Sequence, residues 1–589
     1  MKDFFKYVLA TIVGLILTSV IMTVICIVSM AGMIASENMS QPVKDNSILR
    51  IKLQGTISER SEDNNPLTFL SQGEVQDIAL DEALIALGKA AKNNKVKGVY
   101  LEGGILAATP ATLQELRQGL EEFKKSGKWV VAYADIYSKA AYYLCSTADK
   151  VYLNPIGMLE WSGMSSQPIF FKGLLEKVGI KMQVFKVGTY KSAVEPFICD
   201  QMSDANREQV SSYLNSIWGN MNAEVAKSRK LEVDALNSLD DSLTYLSDPE
   251  ASVKGGLVDK LCYKSQVKEI LKKRMGLEED EKLTFTTIGD VANAESLNEK
   301  VKNEIAVYYA YGEIIDERAS GYSQEHNIVA KEMAADLQKL AEEEDIKAVV
   351  IRVNSPGGSA YASEQIWHEI ELLKAKKPVI VSMGGMAASG GYYISCGANK
   401  IFAEPTTVTG SIGIFGMFPD ASELLTKKLG LSFDVVKTNA LSDLGSAGRP
   451  LNETECSIIQ AHVNKGYELF TDRVAKGRGL PQDSVKAIAE GRVWTGEQAL
   501  KIGLVDNMGN LNDAVLAAAR MANVSKYAVG MYPSPTPWFA NLLNQNTNDY
   551  MEGQMRSLLG DYYNSFSLIR NIKSQNPIQA RIPFDPNIK

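Results

Sequence analysis

Ser389 stands in Ala387-Ala388-Ser389-Gly390-Gly391-Tyr392-Tyr393, a run of small residues between an apolar strand pattern and the start of a helical one. A hydroxyl placed there meets free backbone N–H groups and the positive end of the helix dipole, and both favour a developing negative charge. A serine before a helix is also an ordinary N-cap. Asn354-Ser355-Pro356-Gly357-Gly358-Ser359 follows another strand pattern. Its paired glycines permit a sharp turn that aims N–H groups outward, as an oxyanion hole requires, although a plain Pro-Gly turn has the same pattern. Val408-Thr409-Gly410-Ser411-Ile412-Gly413 places a third serine, flanked by glycine, at the end of the next apolar segment.

A serine nucleophile needs a base. The chain has only His326, His368 and His462, and none has an evident carboxylate partner, so a Ser-His-Asp triad has little support. Lys191 is the alternative. It lies in Val187-Gly188-Thr189-Tyr190-Lys191-Ser192-Ala193-Val194-Glu195-Pro196-Phe197, a stretch of low charge with aromatic neighbours. To act as a base near neutrality its pKa must fall by about three units from ~10.4, roughly 4 kcal/mol of desolvation and neighbour effects. An apolar, buried setting supplies that; a lysine on a surface loop does not.

A duplication connects these residues. Lys97–Leu101 (KGVYL) parallels Lys347–Ile351 (KAVVI), and Ala132–Pro155 parallels Ser382–Pro405, both at one offset: 347 − 97 = 250 and 382 − 132 = 250. Gly256-Leu257-Val258-Asp259 parallels Gly503-Leu504-Val505-Asp506 at 503 − 256 = 247. Ser389 then falls opposite Lys139, and Gly357 and Gly358 fall opposite Ala107 and Ala108, so the first repeat lacks the serine and its glycine loop. Lys186 aligns with Lys437, which carries Lys191 onto Ser442, so the second repeat lacks the lysine. Each half keeps what the other has lost, a divergence that two inert scaffolds have no reason to show.

The elements around these loops read as strand–helix–strand units. Ala348–Val353 is a buried-strand pattern, and Ala362–Lys374 a helix with Ile366, Ile370 and Leu373 on one side. Pro378–Met383 is the next strand, and Ser389–Cys396 opens the next helix. That order implies right-handed βαβ connections, a mostly parallel sheet and an α/β class for each repeat. The chain divides into 1–36 (cytoplasmic tip and transmembrane anchor), 47–275 (the repeat with the lysine) and 276–302 (a charged connection). After these come 303–533 (the repeat with the serine) and a tail, 534–589.

At 589 residues the chain exceeds one hydrophobic core. Its net charge of −8, without a basic stripe, argues against nucleic acid as a partner. The six scattered cysteines form neither a CxxC nor a Cys/His cluster, and no metal site is expected. From Tyr7 to Ala35 no residue is charged, a run longer than the ~20 residues that span a bilayer. Lys2 and Lys6 precede it and Glu37 and Asp45 follow, which orients the N-terminus to the cytoplasm and the body outside. Such a run is about twice as long as a signal-peptide core and no Ala-x-Ala cleavage site follows, so it reads as an uncleaved anchor.

The Gly-x-Tyr-Lys-Ser-Ala-x-Glu-Pro-Phe stretch around Lys191, the Asn-Ser-Pro-Gly-Gly-Ser loop and Ala-Ala-Ser-Gly-Gly-Tyr-Tyr together resemble the long, duplicated bacterial form of signal peptide peptidase. The likeness runs from the anchor to Gln579-Ala580-Arg581-Ile582-Pro583. It implies a Clp-protease/crotonase-like fold in each half and a homo-oligomeric dome, a tetramer, in the bacterial inner membrane, with the catalytic body in the periplasm. It further implies Ser389 as nucleophile, Lys191 as general base and Ser411 as the residue that holds the lysine. The oxyanion donors map to the Gly357–Gly358 loop and to Gly390. Substrates are then extended hydrophobic peptides, the remnants of signal peptides, cut without metal or cofactor. The rival reading is an acyl-thioester binder or an inactive membrane scaffold on the same fold, because fold alone does not set chemistry.

Overall fold

The two repeats fold into two copies of one parallel sheet, and the strands leaving them meet in a third. The computed structural model describes residues 42–60, 77–241, 248–294, 301–318, 326–534 and 577–582, with scattered positions between 6 and 25. In the first half, β1 (Ser47–Ser58), β2 (Val96–Ala107), β3 (Trp129–Tyr137) and β4 (Lys150–Leu159) lie side by side in chain order, all parallel. Helices Leu80–Lys92, α1 (Pro110–Lys125) and α2 (Lys139–Cys145) make the crossovers. In the second half, β6 (Glu304–Tyr311), β7 (Ile346–Ser355) and β9 (Val379–Ala388) repeat that order with β10 (Val408–Gly410), and helices Ala330–Glu342, α4 (Ala360–Lys376) and α5 (Gly390–Ser395) repeat the crossovers. Even the register is shared. Ile48 faces Gly98 in the first sheet and Ile305 faces Ala348 in the second, again with 348 − 98 = 250.

Strands covered on both faces should read as continuous apolar runs, and these do. Every residue of β9 is buried, and β7 is buried at all but two positions. The expected strand Pro378–Met383 therefore continues through Gly384-Gly385-Met386-Ala387-Ala388 up to the serine. The glycines allow this extension because the other half packs directly on them. A methyl built on Gly384 would lie 2.5 Å from Glu59 Oε1, and one on Gly385 would lie 2.2 Å from Thr109 Oγ1.

The halves are not separate bodies joined by a free linker. The expected connection contains a strand, Thr284–Thr286, paired with β1, and a helix, Ile288–Ala292, held by Lys89 Nζ on Ala292 and Ala294 carbonyls. Across the junction the buried Arg352 guanidinium pairs with Glu59 at 2.8 Å and Glu115 at 2.6 Å. The third sheet runs Asn327–Val329, Glu313–Ile315, β8 (Gly357–Ser359), β12 (Ile578–Arg581), β11 (Phe415–Asp420) and β5 (Lys181–Lys186). Here β5 comes from the first half and pairs antiparallel with β11 of the second, from Lys186 against Phe415 to Lys181 against Asp420.

The apolar run Tyr7–Ala35 lies largely outside the described residues; those described between Lys6 and Ile25 are helical and exposed. Among the described residues no helix is long and apolar enough to cross a membrane.

Candidate active site

Crossing into the third sheet carries β5, and the loop after it, into the second half. Gly188, at φ +102°, lets that loop pass so close to the other half that a methyl there would lie 2.3 Å from Glu490 O. Tyr190 N donates to Glu490 O at 3.0 Å, and Gln209 Nε2, from α3 (Asp204–Arg229), donates to Tyr190 O and Ser192 Oγ. The Gln209 carbonyl oxygen accepts from Val493 N of the second half. Behind the lysine, the buried Glu195 carboxylate accepts from Ser203 N and Oγ and from Asn206 Nδ2. Bonds from both halves thus hold the segment that presents Lys191.

Lys191 is 1 % exposed and its Nζ lies 2.7 Å from Ser389 Oγ. It also lies 3.1 Å from Ser411 Oγ and 3.2 Å from Ser411 O. Glycines wall its stem: a methyl on Gly413 would come within 3.3 Å of Cδ and one on Gly491 within 2.6 Å of Cβ. Desolvation in this enclosure pulls the ammonium pKa down to about 7. A lysine so tuned is neutral in good part at pH 7 and can accept a proton.

Ser389 is fully buried and sits at φ 55°, ψ −112°, a conformation that L-residues rarely adopt, between β9 and α5. Its side chain does not cap the helix. Its N–H donates to Gly410 O at 2.8 Å, and its Oγ lies 3.4 Å from Gly413 O besides the lysine. The matching turn of the first half is relaxed: Ser138, at φ −67°, is an ordinary N-cap accepting from Ala141 N, and Lys139 pairs with Glu160 at 3.7 Å. Strain of ~1–3 kcal/mol persists only where the surroundings enforce it, and it concentrates at functional sites.

The glycine loop meets the same corner. Gly357 and Gly358 have φ of 98° and 158°. A methyl on Gly357 would lie 1.9 Å from Ala580 O and 2.7 Å from Gly390 N, so only glycine lets these backbone groups approach so closely. The Gly357 N–H is itself donated to Ser355 Oγ at 3.1 Å. Gly357 thus packs against the backbone of Gly390 while its own N–H turns back to Ser355. His326, His368 and His462 are all exposed.

The site therefore brings together Ser389, Lys191, Ser411, Gly357, Gly358 and Gly390. Sequence reasoning missed Gly491 and Gln209, and gave Gly413 and Glu195 no role. Gly413 and Glu195 stood inside quoted stretches; Gly491 and Gln209 are distant from the quoted stretches and carry no local signal.

The model of peptidase family S49 matches this chain twice, over residues 122–278 and 371–525, and that of Clp protease matches residues 302–409. The chain is 36 % identical to "Protease 4" of Haemophilus influenzae over 546 residues, 89 % of this chain and 85 % of the relative. Against "Protease 4" of Salmonella typhi it is 33 % identical over 90 % of this chain and 87 % of the relative. "Serine protease SPPA, chloroplastic" of Arabidopsis thaliana is 33 % identical over 82 % of this chain and 70 % of its own length. The paired matches fall on the two repeats, and the chain belongs to peptidase family S49: it is a serine protease with a tandem, Clp-protease-like α/β architecture.

Proposed function

We propose that the chain cleaves extended hydrophobic peptides, the remnants of signal peptides, through a dyad of Ser389 and Lys191. One observation carries the reading. A fully enclosed lysine, its pKa lowered to about 7, lies 2.7 Å from the hydroxyl of a serine held in a strained turn. Neutral Lys191 takes the Ser389 proton as Oγ attacks the scissile carbonyl carbon. Gly358 and Gly390 N–H groups hold the oxyanion, and Ser411 orients the resulting ammonium. Lys191 then returns the proton to the leaving amine, and water hydrolyses the ester on Ser389 by the same route. The substrate binds as an extended strand, through main-chain hydrogen bonds with its side chains alternating into pockets.

The apolar run Tyr7–Ala35 and the resemblance of the lysine and serine stretches support the remaining parts of the proposal. These are a single-pass anchor in the bacterial inner membrane, a catalytic body in the periplasm and a homo-oligomer, a tetramer, with its sites inside. Peptide hydrolysis by purified enzyme tests the dyad. Ser389→Ala and Lys191→Ala should each lose ~10³-fold or more in kcat while keeping their thermal transition, and the double variant should be hardly worse. Near-wild-type turnover by either single variant would remove that residue from the mechanism.

A further inference from the structure

The bonds to Glu490 and Gln209 hold the backbone beside Lys191, and the side chain of Arg492 makes a further connection. Its guanidinium carbon, Cζ, lies 4.7 Å from the centre of the Tyr190 ring and 4.6 Å from that of Trp494. Arg492 Nη1 donates to the Tyr190 hydroxyl at 3.1 Å, and Nη2 pairs with Glu208 at 3.0 Å. The Tyr190 hydroxyl donates in turn to Glu208 at 3.0 Å. Both ends of this stack touch the site. Tyr190 precedes Lys191 in the chain. Trp494 lies against Gly410, where a methyl would be 2.7 Å from Cδ1, and the Gly410 carbonyl accepts the Ser389 N–H. From the middle of the stack, the Arg492 carbonyl accepts from Ser411 N at 2.7 Å. The short strand Val493–Thr495 fixes Trp494 by antiparallel pairing with β10.

We propose that Arg492 is a positioning residue for the dyad: stacked on Tyr190 and Trp494, it sets Lys191 of the first half against Ser389 and Ser411 of the second. The proposal rests on the dyad reading above. A guanidinium is planar and can lie on two rings while its fork still donates to two oxygens. A lysine ammonium carries the same charge but has no plane to stack. The ion pair with Glu208 contributes little by itself, because that carboxylate side chain is 56 % exposed. The stack also closes the lysine off. With it loosened, water reaches Nζ, and the base loses its proton only at a higher pH. The other ionisable groups beside this segment have partners of their own. Glu195 accepts from Ser203 and Asn206. Glu490 accepts from Thr189 N at 3.3 Å, and its own N–H donates to the Tyr467 hydroxyl at 3.4 Å.

The kcat, KM and pH profile of peptide hydrolysis by the purified full chain test this, with thermal midpoints measured in parallel. Arg492→Lys should lose roughly 10- to 100-fold in kcat, with KM within about twofold of wild type. The bend in its kcat/KM profile should move above pH 7. Because this variant keeps the charge, the shift reports a loosened enclosure rather than a missing cation. Tyr190→Leu should show the same losses, and the double variant should be no worse than the poorer single one, since both act through one contact. Glu208→Gln should stay within about twofold of wild type. Arg492→Lys with wild-type turnover, or with reduced turnover and a bend still near pH 7, overturns the positioning role and leaves the dyad standing. Losses that multiply in the double variant do the same. Near-wild-type turnover by Lys191→Ala, measured alongside, overturns the dyad reading and the role of Arg492 with it.

Discussion

The tuning of Lys191 comes from burial alone. Desolvation is what lowers its pKa to about 7, and its polar neighbours are the neutral oxygens of Ser389 and Ser411. This has a definite sign. A lysine whose pKa falls is protonated, and useless as a base, below that value, and becomes competent above it. The kcat/KM for peptide hydrolysis should therefore climb with pH along a limb of unit slope, bend near pH 7 and level off on the alkaline side. The free-enzyme profile, measured at constant ionic strength, checks this. A lysine left at its ordinary value would move the bend upward by about three units, and a histidine base would show a bend near 6.5 that survives Lys191→Ala. Local sequence showed that a serine and a lysine were available. It could not show the φ of 55° at Ser389, because that strain is imposed by β9, α5 and the Gly410 carbonyl rather than by neighbours in the chain.

Among the elements, glycines decide how closely the lysine loop can approach the serine turn. Gly491 has φ +78°, and a methyl there would lie 2.6–2.7 Å from Lys191 Cβ, Cα and N. All three are rigid parts of the residue, so the loop must shift. A displacement of about 1 Å in a catalytic group costs ~100-fold in rate. Gly491→Ala should lower kcat by at least that much. Gly479→Ala is its control, since Gly479 has φ +64° with nothing within 4 Å of an added methyl. Both variants bear the backbone cost of ~1 kcal/mol, visible as a small fall in thermal midpoint, but only Gly491→Ala should lose activity. Equal activity in the two would show that the lysine does not depend on this contact. Periodicity made β7, β9, α4 and α5 legible to within a few residues, because continuous apolar runs and an i, i+4, i+7 stripe are local signals. Two features were not legible. The strand β5 reads as part of the first repeat and is paired in the other half, and β12 lies far along the chain from the strands it joins. Pairings of such long sequence separation leave no periodic trace.

At the scale of the whole molecule, complementary loss in the two repeats demands that a first half meet a second half, and the repeat offset made that demand readable in the sequence. The sequence left open whether the meeting is within one chain or between neighbours in an oligomer. In the structure a single chain supplies both groups. The β5–β11 pairing, the Tyr190–Glu490 bond, the Gln209–Val493 bond and the buried Arg352–Glu59–Glu115 cluster all tie the two halves of one chain together. Removing one member of a buried ionic cluster costs ~3–5 kcal/mol, so the halves are not readily exchanged for those of another chain. Covalent connection adds a high effective concentration of the joined half. Mixing Ser389→Ala chains with Lys191→Ala chains, under conditions that let subunits exchange, should therefore leave the mixture inactive, since every same-chain site carries one lesion. Exchange itself is verified with chains bearing two fluorescent labels. A cross-chain site would join an intact Lys191 to an intact Ser389 in about a quarter of junctions at random mixing. Recovery of peptide hydrolysis near that level would transfer the site from the chain to the assembly, and the inter-half contacts described here would then belong between subunits.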